Sequence, residues 1–177
     1  MTALGALGWE DITALKVNSY TGWVDGGYPT VEGVPADAEP LNAADPDQVL
    51  ADHMAEVLAN IPEGFGVVTA DNLAVELAEN PELILIDLRT AAERLEKGII
   101  NSENQLAIPL EEFIAQKADW PADKDATIIT YCGSGHRSTM AMTILWSYGF
   151  DDVRSLKGGF GAWSEAALPV AAAETMN

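Results

Sequence analysis

Two stretches of this 177-residue chain are built almost wholly from aliphatic and β-branched residues, with no polar alternation. They are Leu83-Ile84-Leu85-Ile86, ending at Asp87, and Thr127-Ile128-Ile129-Thr130-Tyr131. A strand that is apolar on both sides must be covered on both sides, which is the situation of strands inside a parallel sheet flanked by helices. The segments around them fit that reading. Gly66-Val67-Val68 predicts a short strand and residues 70–79 a helix. A helix over Thr90–Lys97 comes next, then an irregular stretch to Pro109 and a short helix over Leu110–Gln116. Ser138–Tyr148 reads as a helix stopped by Gly149, Val153–Leu156 as a last strand, and Gly159–Ala167 as a last helix. The expectation is an α/β domain over residues 66–170, in three α/β/α layers, with a central, mainly parallel sheet of about five strands. Ligands in such sheets sit beyond the carboxyl ends of the strands. Tyr131 ends a strand, so Cys132 belongs at that rim.

The rest of the chain divides by composition. Residues 30–45 are rich in Pro, Ala and acid and read as a solvated linker. Residues 45–61 read as a helix, with Asp45 as cap, Pro46 in the first turn, and Leu50, Met54, Val57, Leu58 and Ile61 on one face. Residues 171–177 are a tail. Residues 1–29 repeat the end of the domain. MTALGALGWEDITALK pairs without a gap with MTILWSYGFDDVRSLK at 142–157, and after one inserted residue GWVDGGYP at 22–29 pairs with AWSEAALP at 162–169. The expectation is that 1–29 is the closing helix–strand–helix of a preceding, truncated domain, so an export signal upstream stays open beside a cytoplasmic default.

The chain has a single cysteine, so a disulfide framework within it is excluded. Most lone cysteines are small buried hydrophobes. Here the setting, Tyr131-Cys132-Gly133-Ser134-Gly135-His136-Arg137-Ser138, argues otherwise. A buried strand delivers the thiol, two glycines let the backbone curl around it, and a helix starts near Arg137 or Ser138. Inward N–H groups and a helix N-terminus make an anion-binding nest. Such electropositive settings favour a reactive sulfur anion. Arg137, and His136 if it faces inward, add positive potential; His136 otherwise reads as a solvated loop residue. Ser138 is an N-cap candidate. His53 reads as structural or exposed, and the tryptophans as packing residues.

Three signatures, in order over about residues 66–170, resemble the rhodanese family. They are Asp87-Leu88-Arg89 followed by Glu93, the loop Cys132–Arg137 with Ser138, and Leu156-Lys157-Gly158-Gly159-Phe160-Gly161-Ala162-Trp163. The N-terminal repeat carries only the third, with Val17-Asn18 in place of the two glycines. The family's Gly-His-Ile is Gly98-Ile99-Ile100 here, in a segment about two residues longer. The resemblance implies a rhodanese-like fold and a sulfurtransferase that needs no cofactor. Cys132 would take the outer sulfur of thiosulfate or a similar small anionic donor and hold it as a persulfide for cyanide, a small thiol or a protein thiol. Backbone amides of Gly133, Ser134, Gly135, His136, Arg137 and Ser138 would cradle that sulfur, Arg137 would hold the donor, and Asp87 and Arg89 would support the pocket.

Other functions are set against this one. Related phosphatases place five residues between Cys and Arg; here four lie between Cys132 and Arg137, which suits a sulfur atom better than a tetrahedral oxyanion. A persulfide carrier or binding module that passes sulfur between proteins is the alternative. The net charge is −19, and between Val17 and Leu88 there are 14 Asp and Glu and no Lys or Arg. That surface repels nucleic acid and anionic lipid. Two distant histidines and one cysteine do not make a metal site of the usual kind, and no apolar run is long enough to span a membrane.

Overall fold

The computed structural model describes residues 2–15, 19–33 and 47–173. It divides into two units, residues 1–56 and 57–177, and each is described by itself.

The first unit holds helices α1 (Thr2–Ala6) and α2 (Ser19–Asp25) and the start of α3 (Gln48–Ala59). The Asp45 cap, Pro46 and most of the expected linker lie outside the described residues. Asp47 caps α3, its carboxylate accepting from the N–H groups of Val49 and Leu50 at 3.0 and 3.2 Å. Some backbone hydrogen bonds fall at matched positions of the two aligned segments. The N–H of Leu7 donates to Ala3 O and that of Trp9 to Leu4 O, as Tyr148 does to Ile144 O and Phe150 to Leu145 O. Past the insertion, Tyr28 donates to Trp23 O as Leu168 does to Trp163 O, both at 3.3 Å. The Trp23 indole N–H donates to Pro29 O at 3.0 Å and that of Trp163 to Pro169 O at 2.9 Å. What does not recur is the strand: residues 9–15 lie in no ladder, because a strand exists only through its neighbours. Trp23 is accordingly 37% exposed where Trp163 is 2%.

In the second unit, five strands form one parallel sheet in the order β1-β6-β5-β2-β4. They are β1 (Val67–Val68), β2 (Ile84–Asp87), β4 (Gln105–Ala107), β5 (Ile128–Tyr131) and β6 (Val153–Leu156). Helices α4 (Ala70–Glu79), α5 (Ala91–Lys97), α6 (His136–Ser147) and α7 (Gly159–Glu165) alternate with them. Successive strand residues face opposite ways. Ile86 and Ile128 pack with Phe113, Trp120, Met142 and Leu145 on one face. Leu85, Ile129 and Tyr131 pack with Leu73, Phe160 and Trp163 on the other. The two apolar runs are thus adjacent strands buried on both sides, as their composition requires.

Three local expectations change. The stretch read as irregular holds β4, and β3 (Ile99–Ile100), which pairs antiparallel with β7 (Val170–Ala171). These strands are two or three residues long, too short to show a period, and the ladder runs one residue past the boundary expected at 170. The helix expected over Leu110–Gln116 is instead a 3-10 turn at Leu110–Glu112 running into irregular turns, with a second 3-10 turn, Lys117–Asp119, just beyond it. The Phe113 carbonyl, which a continuing helix would offer to the Lys117 N–H, accepts from the Trp120 indole at 3.1 Å, and Lys117 donates to Ile114 O. The helix after the cysteine loop begins at His136, and its N-cap is Gly135 with φ 98°, not Ser138. Ser138 lies inside the first turn, its hydroxyl donating to Gly135 O at 2.9 Å.

A cysteine loop between two salt bridges

β5 delivers Cys132 to the carboxyl edge of the sheet, where it is 1% exposed. The loop behind it is fixed by backbone bonds from the start of α7. The N–H of Phe160 donates to Cys132 O at 2.7 Å and that of Gly161 to Gly133 O at 3.0 Å. Such close approach needs glycine at 159: its φ is 59°, and a Cβ there would lie 2.3 Å from Cys132 O and 2.8 Å from Ser134 N. The glycine-rich third signature therefore packs directly against the cysteine loop.

Within the loop, the Gly135 N–H donates to Cys132 Sγ at 3.2 Å. Ser138 Oγ lies 3.8 Å from the sulfur and 2.8 Å from Ser155 Oγ. Gly133 stands beside Arg137 and Glu93; a Cβ added to it would meet Arg137 Nη2 at 3.6 Å and Glu93 Oε1 at 3.7 Å. Ser134 and His136 are exposed, and the Ser134 hydroxyl pairs with His136 Nδ1 at 3.1 Å.

Arg137 is not a free cation. Its Nη1 and Nη2 donate to Glu93 Oε2 and Oε1 at 2.8 and 2.5 Å. The Glu93 carboxylate is itself held by the cap of α5. It accepts from the Thr90 N–H at 2.9 Å while the Glu93 N–H donates back to Thr90 Oγ1, a complete capping box. Arg137 first, and the Thr90 bonds after it, hold the Glu93 carboxyl down at about 2. The same bond raises Arg137, with a smaller contribution from Cys132.

The second pair lies beneath. Asp87 at the end of β2 and Arg89 two residues on are 0% and 1% exposed. Arg89 Nε donates to both Asp87 oxygens, and Nη2 to Asp87 Oδ2 at 2.6 Å and to Gly98 O at 2.8 Å. The guanidinium carbon sits 4.0 Å from the centre of the Phe160 ring. Burial opposes the charge on Arg89, but the bond and charge of Asp87 outweigh it and raise the group. Burial also pushes the Tyr131 hydroxyl above its usual range.

A cavity of about 380 Å³ lies beside the loop, lined by Arg89, Glu93, Lys97, Gly133, Phe160, Gly161 and Ser164. The structure thus brings Cys132 through Ser138 together over Asp87 and Arg89. Sequence reasoning recorded Glu93 only as a member of a motif and missed it as the partner of Arg137. The spacing of Thr90 and Glu93 signals the capping box that fixes the carboxylate, but carries no sign of its partner Arg137. Among the described residues no cluster of His, Cys, Asp or Glu is disposed to hold a metal, and no helix is long and apolar enough to cross a membrane.

Comparison with known proteins agrees with this geometry. A sulfurtransferase of Allochromatium vinosum is 33% identical over 107 residues, spanning 60% of this chain and 95% of that protein. Thiosulfate sulfurtransferase GlpE of Shewanella oneidensis is 35% identical over 95 residues, 54% of this chain and 89% of its own length. In fold, the polysulfide-sulfur transferase homodimer of Wolinella succinogenes superposes with a TM-score of 0.55 at 24% identity, covering 70% of this chain and 90% of that one. The family of rhodanese-like domains matches residues 69–166. That span is more than half of the chain, and it holds the parallel sheet from β2 to β6, the cysteine loop and both buried ends of the Asp87–Arg89 pair: the chain belongs to the rhodanese-like domain family.

Proposed function

We propose that this protein is a sulfurtransferase that carries transferable sulfur on Cys132. The observation that carries the reading is the Gly135 N–H directed at Cys132 Sγ at 3.2 Å, at the N-terminus of α6, where a backbone donor and the helix dipole favour sulfur in its anionic form. The names of the relatives and the family membership support the transferase class.

The chemistry is a double displacement. The Cys132 thiolate attacks the outer sulfur of thiosulfate or a similar donor. A new S–S bond forms at Sγ as the donor's own S–S bond breaks, and the electron pair leaves on sulfite. The persulfide anion on Cys132 stays in the loop, where the Gly135 N–H is directed at Sγ. Cyanide or a thiolate then attacks the terminal sulfur and returns the Cys132 thiolate, so a covalent intermediate separates two half-reactions. Arg137, tied to Glu93, shapes the mouth of the loop, and Asp87 with Arg89 supports its floor.

Incubation with thiosulfate and cyanide, with thiocyanate as readout, tests the reading. Wild-type protein turns over, Cys132→Ser does not, and intact-mass spectrometry finds one added sulfur atom on wild type alone. Failure of Cys132 to gain sulfur from any donor overturns it. The acidity of the chain favours a second reading, a carrier loaded by a basic partner protein. It is the better one if a protein persulfide donor loads Cys132 and small donors do not.

A further inference from the structure

The side-chain charges around the cysteine loop cancel in pairs. Arg137 is bound at both nitrogens by Glu93, and Arg89 at two by Asp87. Glu93 cannot swing aside cheaply, because Thr90 holds the same carboxylate from its N–H and its hydroxyl. Of the cavity lining, Lys97 alone is an exposed cation and makes no ion pair among the described residues. The wall beside Gly133 thus offers one net positive charge. Its space of about 380 Å³, with the Phe160 ring in its lining, is of the size that takes a small organic group rather than a bare inorganic ion.

We propose that Glu93 is a specificity-determining residue: by holding Arg137, it disfavours small dianionic sulfur donors and leaves the site suited to donors with one negative charge and an organic substituent. This rests on the sulfurtransferase reading above and names the donor class for that site. The physical reason is that Coulomb repulsion from Glu93, and from a chain of net charge −19, scales with the charge of the donor. A dianion meets it twice, and the cation that would offset it is already engaged.

The test compares thiosulfate, a dianion, with benzenethiosulfonate, a monoanion that delivers the same outer sulfur and releases a sulfinate. Cyanide is the acceptor throughout. Glu93→Gln keeps the capping box, which glutamine also completes, and removes the charge. Expected is a rise in kcat/KM for thiosulfate of about tenfold, against about threefold or less for the monoanion. In wild-type protein, added salt should narrow the preference for the monoanion, because the repulsion is screened. This second measurement decides the matter if the variant does not fold. An unchanged donor ratio in both experiments, with Cys132 still gaining sulfur, overturns the proposal and leaves the sulfurtransferase reading intact. No sulfur on Cys132 from either donor overturns both.

Discussion

Asp87 and Arg89, two residues apart at the end of β2, form a forked ion pair wholly shielded from solvent beneath the cysteine loop. The pair joins β2 to the Gly98 carbonyl and to the face of Phe160, so it ties together three segments that surround Cys132. One guanidinium nitrogen, Nη1, has no hydrogen-bond partner, and Arg89 rests on the aromatic face as well as on its carboxylate.

Removing one partner leaves a buried charge uncompensated. Asp87→Ala should lower unfolding free energy by about 3–5 kcal/mol, and the double replacement Asp87→Leu with Arg89→Met should cost clearly less. Urea denaturation of Asp87→Leu, Arg89→Met and the double variant that combines them gives the coupling. Additive losses would count against a buried ion pair.

Gly159 is expected to matter more to activity than to folding. Gly159→Ala places a Cβ against Cys132 O and Ser134 N in a left-handed backbone, so the loop must shift for the chain to fold. A displacement of about 1 Å at a reacting group costs about a hundredfold. Sulfur loading of Cys132 should fall by at least that factor while thermal unfolding stays cooperative. Wild-type loading rates in this variant would refute the claim.

Acid should expose the Glu93–Arg137 pair. The folded-state value of Glu93 is depressed from the ordinary 4.5 to about 2. The unfolded state therefore binds the proton first. The pair's contribution is present in full above about 4.5 and is lost as pH falls toward about 2. The stability difference between wild type and Glu93→Gln should be constant from neutral pH down to that window and shrink within it. Chemical denaturation at several pH values measures this.

The N-terminal repeat makes a prediction about protection. We propose that residues 1–29 repeat the closing segment of the rhodanese-like domain, on the strength of the sequence match to residues 142–169. Without a ladder for residues 9–15 and with Trp23, Tyr20 and Tyr28 exposed, amides there should exchange far faster than those of β2 and β5. Strong protection throughout residues 2–29 in hydrogen-exchange mass spectrometry would sink this reading.

The runs at 83–86 and 127–131, alternating with helix-like segments, pointed to a parallel sheet covered on both sides, because an apolar strand must be buried on both faces. The helices expected at 70–79 and 90–97 are α4 and α5, the second starting one residue later because Thr90 is its cap, as Thr69 is the cap of α4. Cys132 at a strand end, followed by Gly-x-Gly, was legible as a rim site. Its environment was not. The strands β3, β4 and β7 exist only through partners distant in sequence, and the turns at 110–119 depend on an indole bond from Trp120. The partnership of Arg137 with Glu93 spans 44 residues and no local pattern encodes it. Sequence determined where the single cysteine stands, at the end of a strand and before a Gly-x-Gly loop, and which layers surround it. Tertiary structure decided how much charge that residue sees, because charge balance depends on which side chains the fold brings within reach of each other.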